Sequence, residues 1–122
     1  PYGSGQKPIV NVIKGYVPQI NWQPAGAHLI RVSEGQEYEI TTGYGPDLMW
    51  SIAAETPNGI QPSVSYGTVP PNATVDSPLK PLVRGRYYTV VVTRIDTAAT
   101  GDGFLNTGNT FDGTYTFLYE PL

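Results

Sequence analysis

The stretch LVRGRYYTVVVTR, residues 82–94, decides how the rest of the chain is read. It opens on an apolar residue, turns around Gly85, and runs into a tyrosine pair followed by β-branched residues. Aromatic and β-branched side chains suit a pleated, half-buried surface, so the second half of the stretch reads as a strand. Successive side chains of a strand point to opposite faces. Tyr88, Val90 and Val92 therefore share one side, and Thr89, Val91 and Thr93 the other. Leu82 and Gly85 precede that apolar row at fixed offsets, giving the pattern L-x-x-G-x-x-Y-x-V-x-V.

Outward from this strand the chain repeats the same grammar. Prolines at 18, 24, 46, 57, 62, 70, 71, 78 and 81 would interrupt any long helix. Short alternating segments appear instead: Ile20 and Trp22; His28, Ile30 and Val32; Tyr38 and Ile40; Leu48, Trp50 and Ile52; Val64 and Tyr66; Tyr115, Phe117 and Tyr119. With residues 9–17 and the 88–93 strand they make about eight strands, each expected to bury one face. The chain has 122 residues, with 14 Gly and 12 Pro scattered among apolar segments. That is the make-up of one all-β domain with tight turns, an antiparallel sandwich or barrel, and not of a disordered chain. Residues 1–8, PYGSGQKP, read as a flexible lead-in or linker, and 9–122 as a single domain with no internal repeat. Pro1 is not a natural start, so a mature form or an excised piece is expected.

The L-x-x-G-x-x-Y pattern resembles the tyrosine corner of Greek-key sandwiches, in which a core tyrosine hydrogen-bonds back to the preceding turn. INWQPAG, residues 20–26, resembles the second strand of fibronectin type III domains, with a core tryptophan before a proline-containing loop. Together with LIRV, LMWSI and VSYGTVP, these stretches are similar to divergent fibronectin type III-like modules of bacterial surface and secreted proteins, over roughly residues 9–120. The resemblance implies a Greek-key β-sandwich of seven to eight strands, of fibronectin type III or immunoglobulin-like type. In it Trp22, Trp50, Leu82 and Tyr88 are structural. Arg84 stands where the family usually has proline, and no RGD tripeptide is present.

Composition narrows the partners. Charged residues are 14% and the net charge is −3, so duplex nucleic acid, which needs a basic face, is not an expected partner. Lys80, Arg84, Arg86 and Arg94 fall in one stretch and read as a solvated strand face and corner, with an anion site as the sharper reading. There is no cysteine, which excludes disulfides, zinc-thiolate sites and thiol nucleophiles. No apolar run approaches the ~20 residues that span a bilayer.

The single histidine, His28, alternates with Ile30 and Val32 and reads as structural. No G-x-S-x-G elbow, H-E-x-x-H or phosphate-cradling motif occurs; Gly3-Ser4-Gly5 lies in the lead-in. Glu34, Glu37 and Glu39 cluster, the last two on the polar side of a strand. No catalytic residue is therefore expected. Residues 96–113, DTAATGDGFLNTGNTFDG, are the most unusual segment, and long loops on rigid scaffolds tend to carry function. Asp96, Asp102 and Asp112, with Asn106 and Asn109, offer oxygen ligands that calcium accepts, without EF-hand spacing; the plainer reading is turn chemistry. Tyr44, Phe104 and Phe111 are the aromatics left over from the core and form the candidate ligand site. Asn72-Ala73-Thr74 matches the N-glycosylation acceptor.

The expected function is a non-catalytic extracellular, cell-surface or periplasmic module: a spacer, scaffold or protein-binding domain with no resident cofactor. A carbohydrate-binding module using the loop aromatics is the main alternative, and a virion or pilus surface domain another. The partner is a protein or a glycan.

Overall fold

The computed structural model describes residues 7–36, 47–95 and 110–121. They form eight strands and no helix: β1 (Ile9–Ile13), β2 (Gln19–Gln23), β3 (Leu29–Glu34), β4 (Leu48–Ala54), β5 (Val64–Ser65), β6 (Ala73–Ser77), β7 (Tyr87–Ile95) and β8 (Thr110–Leu118). They make two antiparallel sheets, one in the order β1-β2-β5 and one in the order β6-β4-β3-β7-β8.

Side-chain parity sets the packing. In the smaller sheet Val10 lies opposite Trp22 and Val12 opposite Ile20, all buried, while Asn11, Asn21 and Gln23 point out. In the larger sheet β3 is central. Ile30 sits between Ile52 and Val92, and Val32 between Trp50 and Val90. Tyr88 faces Phe117 on β8, and Val92 faces Gly113. The inward side chains of both sheets join in one hydrophobic cluster that contains Trp22 and Trp50. Large rings such as these contribute most of the buried area of a small domain.

Tyr88 is fully buried, and its hydroxyl accepts the Val83 amide hydrogen at 2.7 Å. The turn before it needs Gly85, whose φ of 85° L side chains rarely adopt. Leu82 packs half-buried against the cluster, and the Tyr88 ring meets Tyr119 edge-on at 6.4 Å. Tyr66 adds a second strut: its ring meets Trp50 edge-on at 5.3 Å and its hydroxyl donates to the Lys80 carbonyl at 2.6 Å. Burial pushes the Tyr66 phenol well above its ordinary pKa.

Several expectations are corrected. β4 and β7 are buried on both faces rather than one. They are interior strands of a five-stranded sheet, and the small polar side chains on their second face hydrogen-bond to the neighbouring strands and to the turn after β3. Thr89 donates to the Gly35 carbonyl at 2.8 Å and lies 2.8 Å from the Thr116 hydroxyl. Thr93 donates to Asp112 at 2.7 Å, and Ser51 to Asp76 at 2.9 Å. Such cross-strand pairs stabilise a sheet. β6 was not expected, because an exposed edge strand with little apolar content has no alternation to read. It carries a bulge: Ser51 and Ile52 are adjacent on β4 but face Ser77 and Val75, leaving Asp76 extra. Residues 110–113, expected in a loop, begin β8. The strand expected around Tyr38 and Ile40 lies outside the described residues, as does most of the lead-in.

Gly113 explains how β1 approaches the larger sheet. A Cβ there would stand 1.9 Å from the Pro8 carbonyl oxygen. A glycine in a strand otherwise rich in Thr and aromatics thus marks a close backbone approach. Gly113→Ala is expected to cost about 1–3 kcal/mol through forced displacement of β1. Tyr88→Phe keeps the ring but removes the acceptor, at about 1–3 kcal/mol. Urea unfolding checks both, and an unchanged midpoint in either variant would remove the corresponding constraint.

Candidate functional site

Of the residues singled out as ligand or metal candidates, Tyr44, Phe104, Asp96 and Asp102 lie outside the described residues, as do Asn106 and Asn109. Phe111 is not in a loop. It is half-buried in β8 opposite Arg94, on the same side of the strand as Gly113, Tyr115 and Phe117. Asp112 is exposed on the other side, where its carboxylate accepts the Thr93 hydroxyl. Among the described residues no group of three His, Asp or Glu side chains gathers to hold a metal ion.

The basic stretch does not make one patch. Lys80 and Arg84 are exposed, and Arg86 forms an exposed ion pair with Glu34 at 3.1 Å, an interaction worth little. Arg94 departs from the solvated face expected of it: it is only 7% exposed. Its parity with Val90 and Val92 turns it inward at the end of the core. There its guanidinium donates to the Ala25 and Gly26 carbonyls of the β2–β3 turn. The Trp22 indole donates to the same Gly26 carbonyl at 3.1 Å. Desolvation lowers the Arg94 pKa. Asn58 completes this end by exchanging two hydrogen bonds with the Ile95 backbone, at 2.8 and 2.9 Å. A Cβ on Gly26 would crowd both, 2.8 Å from the Asn58 carbonyl oxygen and 3.1 Å from the guanidinium.

His28 is half-buried just before β3, its amide donating to the Thr93 carbonyl and its carbonyl accepting the Ala54 amide, each at 2.8 Å. Burial lowers its pKa below 6.5.

The accessible chemistry lies on the smaller sheet. Ile9 and Ile13 are exposed on the outer side of β1, next to Asn11, with Gln19, Asn21 and Gln23 beside them on β2. A shallow hollow of about 250 Å³ opens here, lined by Ile9, Asn11, Asn21, Trp22 and Gln23. A second, of about 340 Å³, lies at the β1–β2 turn, lined by Lys14, Gly15, Tyr16, Glu120 and Pro121. Tyr16 is 68% exposed, and the Tyr119 hydroxyl holds its backbone by donating to its carbonyl at 2.9 Å. Sequence reasoning passed over both places. The available signal was IVNVI, where isoleucines occupy the outward positions around two inward valines.

The His28 shift predicts a pH dependence. The unfolded chain binds a proton that the folded chain resists, so this contribution is present above pH 6.5 and declines as pH falls through the folded value. The melting temperature is expected to fall below pH 6.5, before the carboxylates titrate, and to fall less in His28→Gln. Identical profiles for the two proteins would remove His28 as the cause. Comparison of the chain with protein-family models, with curated proteins and with solved structures finds no match.

Proposed function

We propose that the chain is a non-catalytic module of an extracellular or cell-surface protein, a β-sandwich of fibronectin type III or immunoglobulin-like type that serves as a scaffold, spacer or binding domain. The observation that carries this reading is the use made of the buried polar groups. Thr89, Thr93, Ser51 and Arg94 are each engaged in tying strand to strand or strand to turn. Their chemistry maintains a rigid body. The strand order supports the fold type. If β1, β2 and β5 correspond to strands A, B and E, and β3, β7 and β8 to C, F and G, the pairings A-B-E and C-F-G follow the immunoglobulin pattern. β4 then takes the place beside strand C that variable-type domains fill with an added strand, and β6 is a departure.

Glycan binding is the second reading, and Tyr16 favours it. An exposed tyrosine ring with a fixed backbone, flanked by Lys14 and Glu120, offers a stacking surface beside hydroxyl-bonding groups.

Antibody labelling tests the location. Antibodies raised against the chain are applied to cells of its source organism before and after permeabilisation. Labelling of intact cells is the expected result. Labelling only after permeabilisation would overturn the extracellular reading.

A further inference from the structure

The two sheets treat their outward faces differently. On the larger sheet the polar groups hydrogen-bond each other, Thr89 to Thr116, Thr93 to Asp112 and Ser51 to Asp76. On the smaller sheet the side-chain amides of Asn11, Gln19 and Gln23 have no hydrogen-bond partner among the described residues. Asn21 uses only its oxygen, which accepts the Trp22 amide at 3.1 Å, so its NH₂ group remains available. Ile9 and Ile13 stand among these amides 76% and 56% exposed. No ionisable side chain occurs in the outward rows of β1 and β2.

We infer that this face of β1 and β2 is a binding surface for an uncharged polysaccharide, with a sugar ring seated in the hollow at Ile9, Asn11, Asn21 and Gln23. The chemistry of the face selects the ligand. Each amide both donates and accepts, as sugar hydroxyls do, and the isoleucines cover the C–H faces of the rings. Anionic ligands find no cation within the outward rows of β1 and β2. A protein partner would call for Trp, Tyr or Arg anchors, which these rows do not contain. The hollow is smaller than the ~300 Å³ at which drug-sized pockets begin, so it receives one ring and the chain continues along the strands. From Ile9 to Ile13 the rows extend about 13 Å, at about 3.3 Å per residue. Five paired positions hold the two strands in register, so the groups are carried on rigid elements.

The inference rests on the glycan-binding reading, and the test separates the two. Retention of the protein is measured by affinity electrophoresis in gels containing xylan, mannan, mixed-linkage β-glucan or starch, with polygalacturonate as the anionic control. The unmodified protein is expected to be retarded by at least one neutral polysaccharide, at low and high salt alike. Asn11→Ala with Gln23→Ala should weaken that retention about tenfold or more, the equivalent of one or two hydrogen bonds, with the melting temperature unchanged. Arg84→Ala, at the exposed corner before β7, should retain binding. Retention abolished by Tyr16→Ala but untouched by the amide pair would move the site to the turn hollow and overturn the inference alone. No retention by any neutral polysaccharide, or retention by polygalacturonate only, would overturn the inference together with the neutral-glycan reading. If the double variant unfolds, Asn11→Leu, which keeps the size but removes both donor and acceptor, must weaken retention for the inference to stand.

Discussion

The Val83 amide hydrogen must find an acceptor at the corner where the chain turns into β7, and it finds the Tyr88 hydroxyl. That bond fixes more than a turn. With Tyr88 inward, Val90, Val92 and Arg94 are inward too, because a one-residue slip would send every side chain of the strand to the other face. β7 pairs with β3 on one side and β8 on the other, so its parity passes to both neighbours. At its far end the same parity delivers Arg94 to the carbonyls of the β2–β3 turn, directly after the smaller sheet. The corner thus sets the parity of β7, and the buried cation near its end ties the larger sheet to the turn that follows the smaller one.

The legible parts of the fold were those with strong alternation. β2, β3 and β7 announce themselves through Ile20 and Trp22, Ile30 and Val32, and Tyr88, Val90 and Val92. The corner was readable because its leucine, glycine and tyrosine stand at the offsets of the tyrosine-corner pattern, and Tyr88 does bond back to the turn. Burial of the second face of β7 was not readable: Thr89 and Thr93 look like solvent-facing residues until the cross-strand partners Thr116 and Asp112 are known. Arg94 misled for a related reason. A cation reads as exposed, yet the turn carbonyls it binds come from distant sequence, which one chain's pattern does not reveal. β6 left no signal because an edge strand has little to bury. The candidate site was the least legible. Attention to aromatics led to residues that lie mostly outside the described structure, and the one within it, Phe111, belongs to a strand. The outward amides of β1 and β2 are ordinary polar positions in sequence. They gain meaning only when the structure sets them beside exposed isoleucines.

A division of labour between the sheets follows. The larger sheet, with β4 and β7 buried on both faces and its hydroxyls bonded across strands, provides rigidity. The smaller sheet sends its valines and Trp22 into the shared core and leaves its amides to solvent. Rigid support on one side of a core and available groups on the other suits recognition, since the supporting groups need not move when a ligand arrives.

The extra residue in β6 has a bearing on life in a crowd. β6 is an outermost strand, and an outermost strand offers its backbone to any neighbour able to extend the sheet. Asp76 breaks the register there and brings a charge, while Pro70 and Pro71 before the strand and Pro78 after it limit its length. A second chain approaching this edge thus meets a short, irregular, charged margin instead of an open row of backbone donors and acceptors.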